Sequence, residues 1–383
     1  MSRFLFLLLI WQALIMLVAG ADGYWTDFSY PPTCSFAESH GRLFPCAYNS
    51  RVIHSKEPPR LSLAALPTPI VTLANLSKQL SADRLLMKRD DLTGVELSGN
   101  KIRKLEYLLA DAQVKGCDCL VTHGGFQSNH CRATAAAGAR LGMKVRLILR
   151  LPDGAPPAQD GNLFLDGLLG AKISMHSVAE YNGKKKELIE TAMAEERADG
   201  RKPYFFPVGA SVPIGCWGYI RMMTELAEQV GRDTKVDLFA AVSSSGTLAG
   251  MILGKALFRL DNWRVRGIPV SDSVSFFQKD IRDLMDATIR MFELEVSQEQ
   301  TPIDLVDSFI GAGYAIPYPE AVETIKLVAR AEGILLDPTY TGKAMTGYLD
   351  IVRKGDVRPG AVPLFIHTGG VFGMMARRDL FAG

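Results

Sequence analysis

Ser98-Gly99-Asn100-Lys101-Ile102-Arg103-Lys104 is the stretch on which the reading of this 383-residue chain turns. An apolar, strand-like run, Leu85-Leu86-Met87, and a charged turn, Lys88-Arg89-Asp90-Asp91, precede it, and a strongly helical segment, Leu105 to Val114, follows. A lysine just inside a helix start, behind Gly-Asn, is held by backbone geometry near the positive end of the helix dipole. The dipole and the neighbouring cations Arg103 and Lys104 are expected to lower its proton affinity, and an uncharged amine is the form that attacks a carbonyl. The plainer alternative is a solvated basic face formed by Lys101, Arg103 and Lys104. The rest of the chain weighs against it.

From about Arg84 onward, short β-branched or apolar runs alternate with longer helical ones. Strands are predicted at Cys119 to Thr122, Lys144 to Leu149, Ala171 to Ser174, Leu238 to Val242 and Val265 to Val270. Helices are predicted at Ser128 to Leu141, Asn162 to Leu169, Lys184 to Arg197, Trp217 to Glu228 and Thr247 to Leu257. Strands separated by helices of this length argue for an α/β protein with parallel sheets covered on both faces. Two such doubly wound open-sheet domains leave a cleft outside the carboxyl ends of the strands, where ligands bind.

Three strand-to-helix turns carry the chemistry. His123-Gly124-Gly125-Phe126-Gln127-Ser128-Asn129-His130 offers backbone N–H groups and a helix dipole to a carboxylate or phosphate, although Ser128 or Asn129 could simply cap the helix. Ser243-Ser244-Ser245-Gly246-Thr247 combines small residues with hydroxyls suited to phosphate oxygens. It lacks the first glycine of a Gly-x-Gly-x-x-Gly dinucleotide turn, and Asp272 is a poor match for the acidic residue such a turn requires, so a phosphate fits and a dinucleotide does not. Phe365-Ile366-His367-Thr368-Gly369-Gly370 is a third strand ending in a hydroxyl and two glycines.

Lys+Arg (43) nearly balance Asp+Glu (41), so neither nucleic acid nor an anionic membrane is indicated as a partner. The amino terminus differs from the rest. Arg3, an apolar run from Phe4 to Val18 and Ala19-Gly20-Ala21 describe a secretory signal peptide over residues 1–21, the alternatives being an uncleaved anchor or part of a longer organelle leader. Residues 22–60 read as an irregular lead-in, in which Cys34 and Cys46 could pair in an oxidising compartment. Asn75-Leu76-Ser77 is a glycosylation sequon that would fit the secretory route. Cys117, Cys119, Cys131 and Cys216 read as buried thiols, and no His or Cys spacing suggests a metal site.

A Schiff-base lysine, a phosphate loop, a carboxylate loop and a late threonine facing a ring are what pyridoxal phosphate requires. In Leu97 to Glu106, Gly124 to Ala133, Asp337-Pro338-Thr339-Tyr340-Thr341-Gly342-Lys343 and His367-Thr368-Gly369-Gly370, the chain resembles the D-cysteine desulfhydrase and 1-aminocyclopropane-1-carboxylate deaminase family of tryptophan-synthase-β-like enzymes. The resemblance runs from about Leu66 to the carboxyl terminus. It implies a large cofactor-binding domain over residues 61–111 and 216–383, a small domain over 112–215, and a homodimer.

By position, the resemblance implies Lys101 as the Schiff-base lysine and Asn129 as a partner of the cofactor's ring hydroxyl. Ser243, Ser244, Ser245, Gly246 and Thr247, with Lys104, would hold the phosphate, and Thr368 would face the ring nitrogen. Gln127, Ser128, Asn129 and Thr341 would contact an amino-acid substrate, with Tyr314 and Tyr340 lining its side. The α-proton would pass to Lys101 or to a residue of the Ser128 and tyrosine set. Thr341 follows Tyr340 where aminocyclopropane deaminases carry a glutamate, which favours β-elimination from D-cysteine to sulfide, pyruvate and ammonia. Aminocyclopropane deamination, elimination from D-serine or a related D-amino acid, and non-catalytic cofactor binding are the alternatives. Val212 stands where the family places an amide side chain that could touch substrate.

Overall fold

The computed structural model describes residues 53–152 and 158–382, so the leader, most of the lead-in, Cys34 and Cys46 lie outside the described residues. Ten strands fall into two sheets. The larger has the order β1 (Ile70–Thr72), β2 (Leu86–Lys88), β10 (Val362–Ile366), β7 (Val236–Val242), β8 (Trp263–Pro269) and β9 (Asp304–Leu305), parallel except for β1 against β2. The smaller is wholly parallel, in the order β5 (Lys172–His176), β4 (Lys144–Arg150), β3 (Cys119–Gly125) and β6 (Pro203–Phe205). The two open α/β sheets expected from the alternating pattern are present.

Parallel neighbours demand crossover helices. The larger sheet is served by α1 (Ala74–Gln79), α6 (Pro213–Val230), α7 (Gly246–Leu257), α8 (Val274–Phe292), α9 (Pro319–Glu332), α10 (Thr341–Arg353) and the short α11 (Val371–Met375). The smaller is flanked by α2 (Lys101–Val114), α3 (Asn129–Arg140), α4 (Gly161–Leu168) and α5 (Val178–Ala198). Helix α5 begins six residues before the predicted Lys184, because the backbone departs from helical geometry at Lys184 (φ −122°, ψ 16°) and continues on either side. The alanines of α3 let it lie against β3 and β4 so closely that a Cβ on Gly138 would come within 2.3 Å of Val145.

The inner strands β2, β3, β4, β7, β8 and β10 are buried along most of their length, and a fully buried leucine or phenylalanine such as Leu238 or Phe239 contributes about 1.5–3 kcal/mol. Cys119, Cys131 and Cys216 are buried thiols as expected; Cys117 is only half-buried. The end of the lead-in is irregular but anchored by charge. Arg60 and Leu63 meet the buried Glu106 carboxylate, and Glu57 bonds Tyr107 and Arg221. Asn75 already donates its side-chain amide to the Ala331 carbonyl at 2.6 Å, and Ser77 is buried. Among the described residues no helix is long and apolar enough to cross a membrane.

Candidate active site

The carboxyl ends of β3, β4, β7, β8 and β10 open on one cavity of about 320 Å³. Gly124, Gly125 and Arg150 reach it from the smaller sheet, and Ser243, Ser271, Asp272, Thr368 and Gly369 from just beyond strands of the larger one. Two of the motifs touch directly. The Asn100 amide donates to the Thr368 carbonyl at 3.1 Å, and a Cβ on Gly99 (φ +106°) would come within 2.8 Å of that same oxygen. Gly369 (φ +95°) presses back on Gly99, so neither position has room for a side chain or a backbone that suits one.

Helix α2 begins at this contact. Lys101 enters the cavity and donates from Nζ to Asn100 Oδ1 at 3.0 Å; burial brings its pKa down to about 8, while Asp337 pulls the other way. The cause differs from the one expected. Arg103 turns its guanidinium away, onto the carboxylates of Asp90 and Glu225 at 2.8 Å each, so it forms no basic face with Lys101. Lys104 is fully buried, donates to the Gly209 carbonyl at 2.9 Å and has its pKa held well below the ordinary value, first by burial and then by Lys101.

Of the residues singled out in the sequence, Lys101, Ser128, Asn129, Ser243, Ser244, Thr247, Tyr314, Tyr340 and Thr368 all line this cavity. Ser128 is both wall and N-cap, its Oγ accepting from the Cys131 amide at 3.2 Å, so the two readings of that hydroxyl are compatible. Asn129 Oδ1 accepts from Asn162 Nδ2 at 3.0 Å, and Asn100 Nδ2 donates to Thr247 Oγ1 at 3.0 Å. The Tyr314 and Tyr340 hydroxyls are 2.7 Å apart; burial pushes both phenols up, so they stand as neutral groups.

Five others do not reach the wall. Ser245 is fully buried and donates to the Asp280 carboxylate, and the Gly246 amide donates to Ser211 Oγ at 3.2 Å. Lys104 lies behind them, its Nζ 3.2 Å from where a Cβ on Gly246 would sit. Gln127 is committed to helix α4, accepting from the Asn162 amide at 2.8 Å and donating to the Asp160 carbonyl at 2.9 Å. Thr341 is fully buried and donates to Asp337 Oδ1 at 2.8 Å. Val212 also stays out of the wall and packs in the core cluster around α2 and β3; Val208 and Gly209 reach the cavity in its place.

Sequence reasoning missed His123, His130, Arg150, Tyr181, Asn182 and Lys185, all of which line the cavity on the smaller-sheet side. His123 bonds the Tyr181 hydroxyl and stacks on Phe205, and burial with Lys185 nearby brings its pKa down to about 4. His130 meets Thr122 Oγ1 at 2.9 Å through Nε2, is held neutral by burial, and leaves a buried Nδ1 with no partner among the described residues. The strand-end rule alone would have flagged Arg150, the last residue of β4.

The profile of the pyridoxal-phosphate dependent enzymes matches residues 61–369. This chain belongs to that family. It is 39% identical over 330 residues to the "bifunctional D-cysteine desulfhydrase/1-aminocyclopropane-1-carboxylate deaminase, mitochondrial" of Arabidopsis thaliana, covering 84% of this chain and 80% of that one. A protein of Pyrococcus abyssi, provisionally named a 1-aminocyclopropane-1-carboxylate deaminase, is 40% identical over 82% of this chain and 93% of its own. The crystal structure of an "ACC deaminase homologue" superposes with a TM-score of 0.77 at 36% identity, over 86% of this chain and 99% of that one. A threonine deaminase from Solanum lycopersicum, at 17% identity and a TM-score of 0.56, shares the fold.

The cavity suits this family's cofactor. An amine of lowered proton affinity stands at one end of a wall whose Ser243, Ser244 and Thr247 hydroxyls surround the start of α7, a favourable place for a phosphate. A Cβ on Gly209 would fall 2.5 Å from Ser244 Oγ, so the turn is closed by backbone and leaves the hydroxyls as its surface. The Thr368 hydroxyl lines the same wall with no protein hydrogen bond among the described residues.

Proposed function

We propose that this chain is a pyridoxal-phosphate-dependent lyase whose substrate is D-cysteine, converted to sulfide, pyruvate and ammonia. The observation that carries the reading is the chemistry beside Thr368. The hydroxyl in the wall is neutral, and the second threonine, Thr341, gives its hydroxyl to Asp337, whose side chain packs against Gly370. The Asp337 carboxylate in turn accepts backbone amides from Thr339, Tyr340 and Thr341, which saturate it from within its own turn.

Pyridoxal phosphate, when bound, supplies an aldehyde that condenses with amines and a ring that accepts the electron pair left by a departing α-proton. Lys101 is the residue for the aldehyde, because its pKa of about 8 leaves an appreciable uncharged fraction near neutrality. Ser243, Ser244 and Thr247 at the α7 start are assigned the phosphate, and Lys104 acts from behind by holding the Gly209 carbonyl. Asn129 is assigned the ring hydroxyl and Thr368 the ring nitrogen. A hydroxyl there, unlike a carboxylate, does not keep a proton on the nitrogen it faces. The weaker electron withdrawal that follows suffices for a thiolate, whose acid has a pKa of about 8.5.

The amino-acid carboxylate is assigned to the Ser128 turn, where the first amides of α3 point outward. Lys101 is positioned to take the α-proton and then, as the ammonium so formed, to return it to the departing sulfur, while the Tyr314–Tyr340 pair offers that sulfur a neutral hydrogen-bond donor. Deamination of 1-aminocyclopropane-1-carboxylate is the second reading, and the names of the relatives favour it at least as well. The loaded protein, supplied in turn with each compound, decides between them. Sulfide from D-cysteine supports the first; ammonia from the cyclopropane compound with no sulfide from D-cysteine overturns it.

A further inference from the structure

Arg150 lies in the cavity wall without a task in this chemistry. Its guanidinium carbon lies 5.8 Å from the centre of the Tyr181 ring and 5.4 Å from that of Tyr314. Aromatic contacts of this kind fix a guanidinium while leaving its N–H edge available for a planar anion. Among the described residues that edge meets no carboxylate and no hydrogen-bond acceptor. The backbone of Arg150 is fixed as well, since its carbonyl accepts the Phe126 amide at 3.1 Å, in the turn that leads to Ser128.

The surroundings are cationic. Lys185 lines the same side, and its charge contributes to the depressed pKa of His123. With Lys101 committed to the cofactor's aldehyde, Arg150 and Lys185 remain as cations of the wall, and its one carboxylate among the described residues, Asp272, lies beyond the end of β8 on the larger-sheet side. D-Cysteine brings one carboxylate, already assigned to the Ser128 turn. A cavity built for it alone would gain nothing from an arginine pinned against Tyr181 and Tyr314 and unpaired among the described residues.

We propose that Arg150, assisted by Lys185, is a subsite for a second negative charge, so that the preferred substrates are cysteine S-conjugates whose departing sulfur bears a carboxylate or sulfonate. The inference rests on the lyase reading and refines its substrate class. For S-(carboxymethyl)-D-cysteine the Cα–H and Cβ–S bonds break, and the sulfur leaves with the Cβ–S electron pair and takes up a proton. One water then hydrolyses the resulting enamine, so that substrate plus water gives thioglycolate, pyruvate and ammonia. No oxidant or reductant takes part.

The test compares this compound with its neutral isostere, S-(carbamoylmethyl)-D-cysteine, on the loaded enzyme, reading kcat/KM from keto acid and affinity from the change in cofactor absorbance. A hydrogen-bonded charge pair should favour the acid by about tenfold or more in both readouts. Arg150→Gln should bring the ratio of the two compounds close to one, and added salt should lower the wild-type ratio. Equal constants for the pair in the wild type, or a ratio that survives in Arg150→Gln, overturns the subsite. Failure of the lyase reading looks different: no keto acid from either conjugate or from D-cysteine, with the affinity gap still present, removes the reaction and supports the anion subsite.

Discussion

Helix α2 starts between two regions that treat buried cations in opposite ways. On one side Arg103 and Lys88 meet Asp90 and Glu225 in a dense cluster, with the Tyr219 hydroxyl donating to Asp90 at 2.7 Å. Arg103 is held firmly charged there, and both carboxylates sit below their usual range. On the other side Lys101 and Lys104 have no carboxylate in ion-pair contact among the described residues, and both lose proton affinity to burial. Two positions of sequence separate a structural cation, Arg103, from a reactive amine, Lys101. What distinguishes them is whether burial is matched by a counter-charge.

The largest effect expected from that contrast is at Lys101. Replacing it by alanine should lower turnover by roughly 10⁴-fold, the upper end of what one positioned acid–base group contributes, while thermal unfolding changes little. Activity retained within tenfold would assign the chemistry elsewhere. The cluster should respond in the other currency. Arg103→Met leaves two buried carboxylates, Asp90 and Glu225, facing Lys88 as their one remaining cation among the described residues, and should cost about 3–5 kcal/mol of stability in denaturant unfolding. A variant as stable as the parent would mean that the cluster's charges are not what holds α2 in place.

The tyrosine pair sharpens the contrast, because burial keeps both hydroxyls protonated and they act as uncharged hydrogen-bond donors. Tyr314→Phe and Tyr340→Phe should each lower kcat by about 100-fold with the fold intact, and the double variant should be little worse than either single one, since both remove the same contact. Strictly multiplicative losses would show that the two hydroxyls act separately.

Much of this was legible in advance where a local backbone constraint writes itself into sequence. Gly99 and Gly369 are required by a close approach and a positive φ, and the hydroxyl-rich turns follow strands that are continuous apolar runs. The side-chain directions were not legible. Ser245 and Gln127 belong to the right turns but face Asp280 and Asn162, partners 35 residues away that no motif announces, and Thr341 turns back onto Asp337 of its own motif. Arg103 looked like a neighbour of Lys101 and instead joins Glu225, 122 residues on. Arg150, Tyr181 and Lys185 carry no motif at all; only the parallel order β5-β4-β3 brings them to one wall.

A smaller and continuous effect follows from the Lys101 pKa of about 8, lowered from the ordinary lysine value near 10.5. Only the deprotonated amine attacks an aldehyde. Cofactor capture by the stripped protein, followed by absorbance after mixing, should therefore rise about tenfold per pH unit below 8 and level off above it. A rate still climbing at pH 10 would indicate an unperturbed lysine.

The most direct measurement is borohydride reduction of the pyridoxal-phosphate-loaded protein, followed by proteolysis and mass mapping of the modified peptide. A single phosphopyridoxyl group is expected on Lys101, in the peptide that spans the start of helix α2. A label on Lys104, on Lys185 or on no lysine would contradict it.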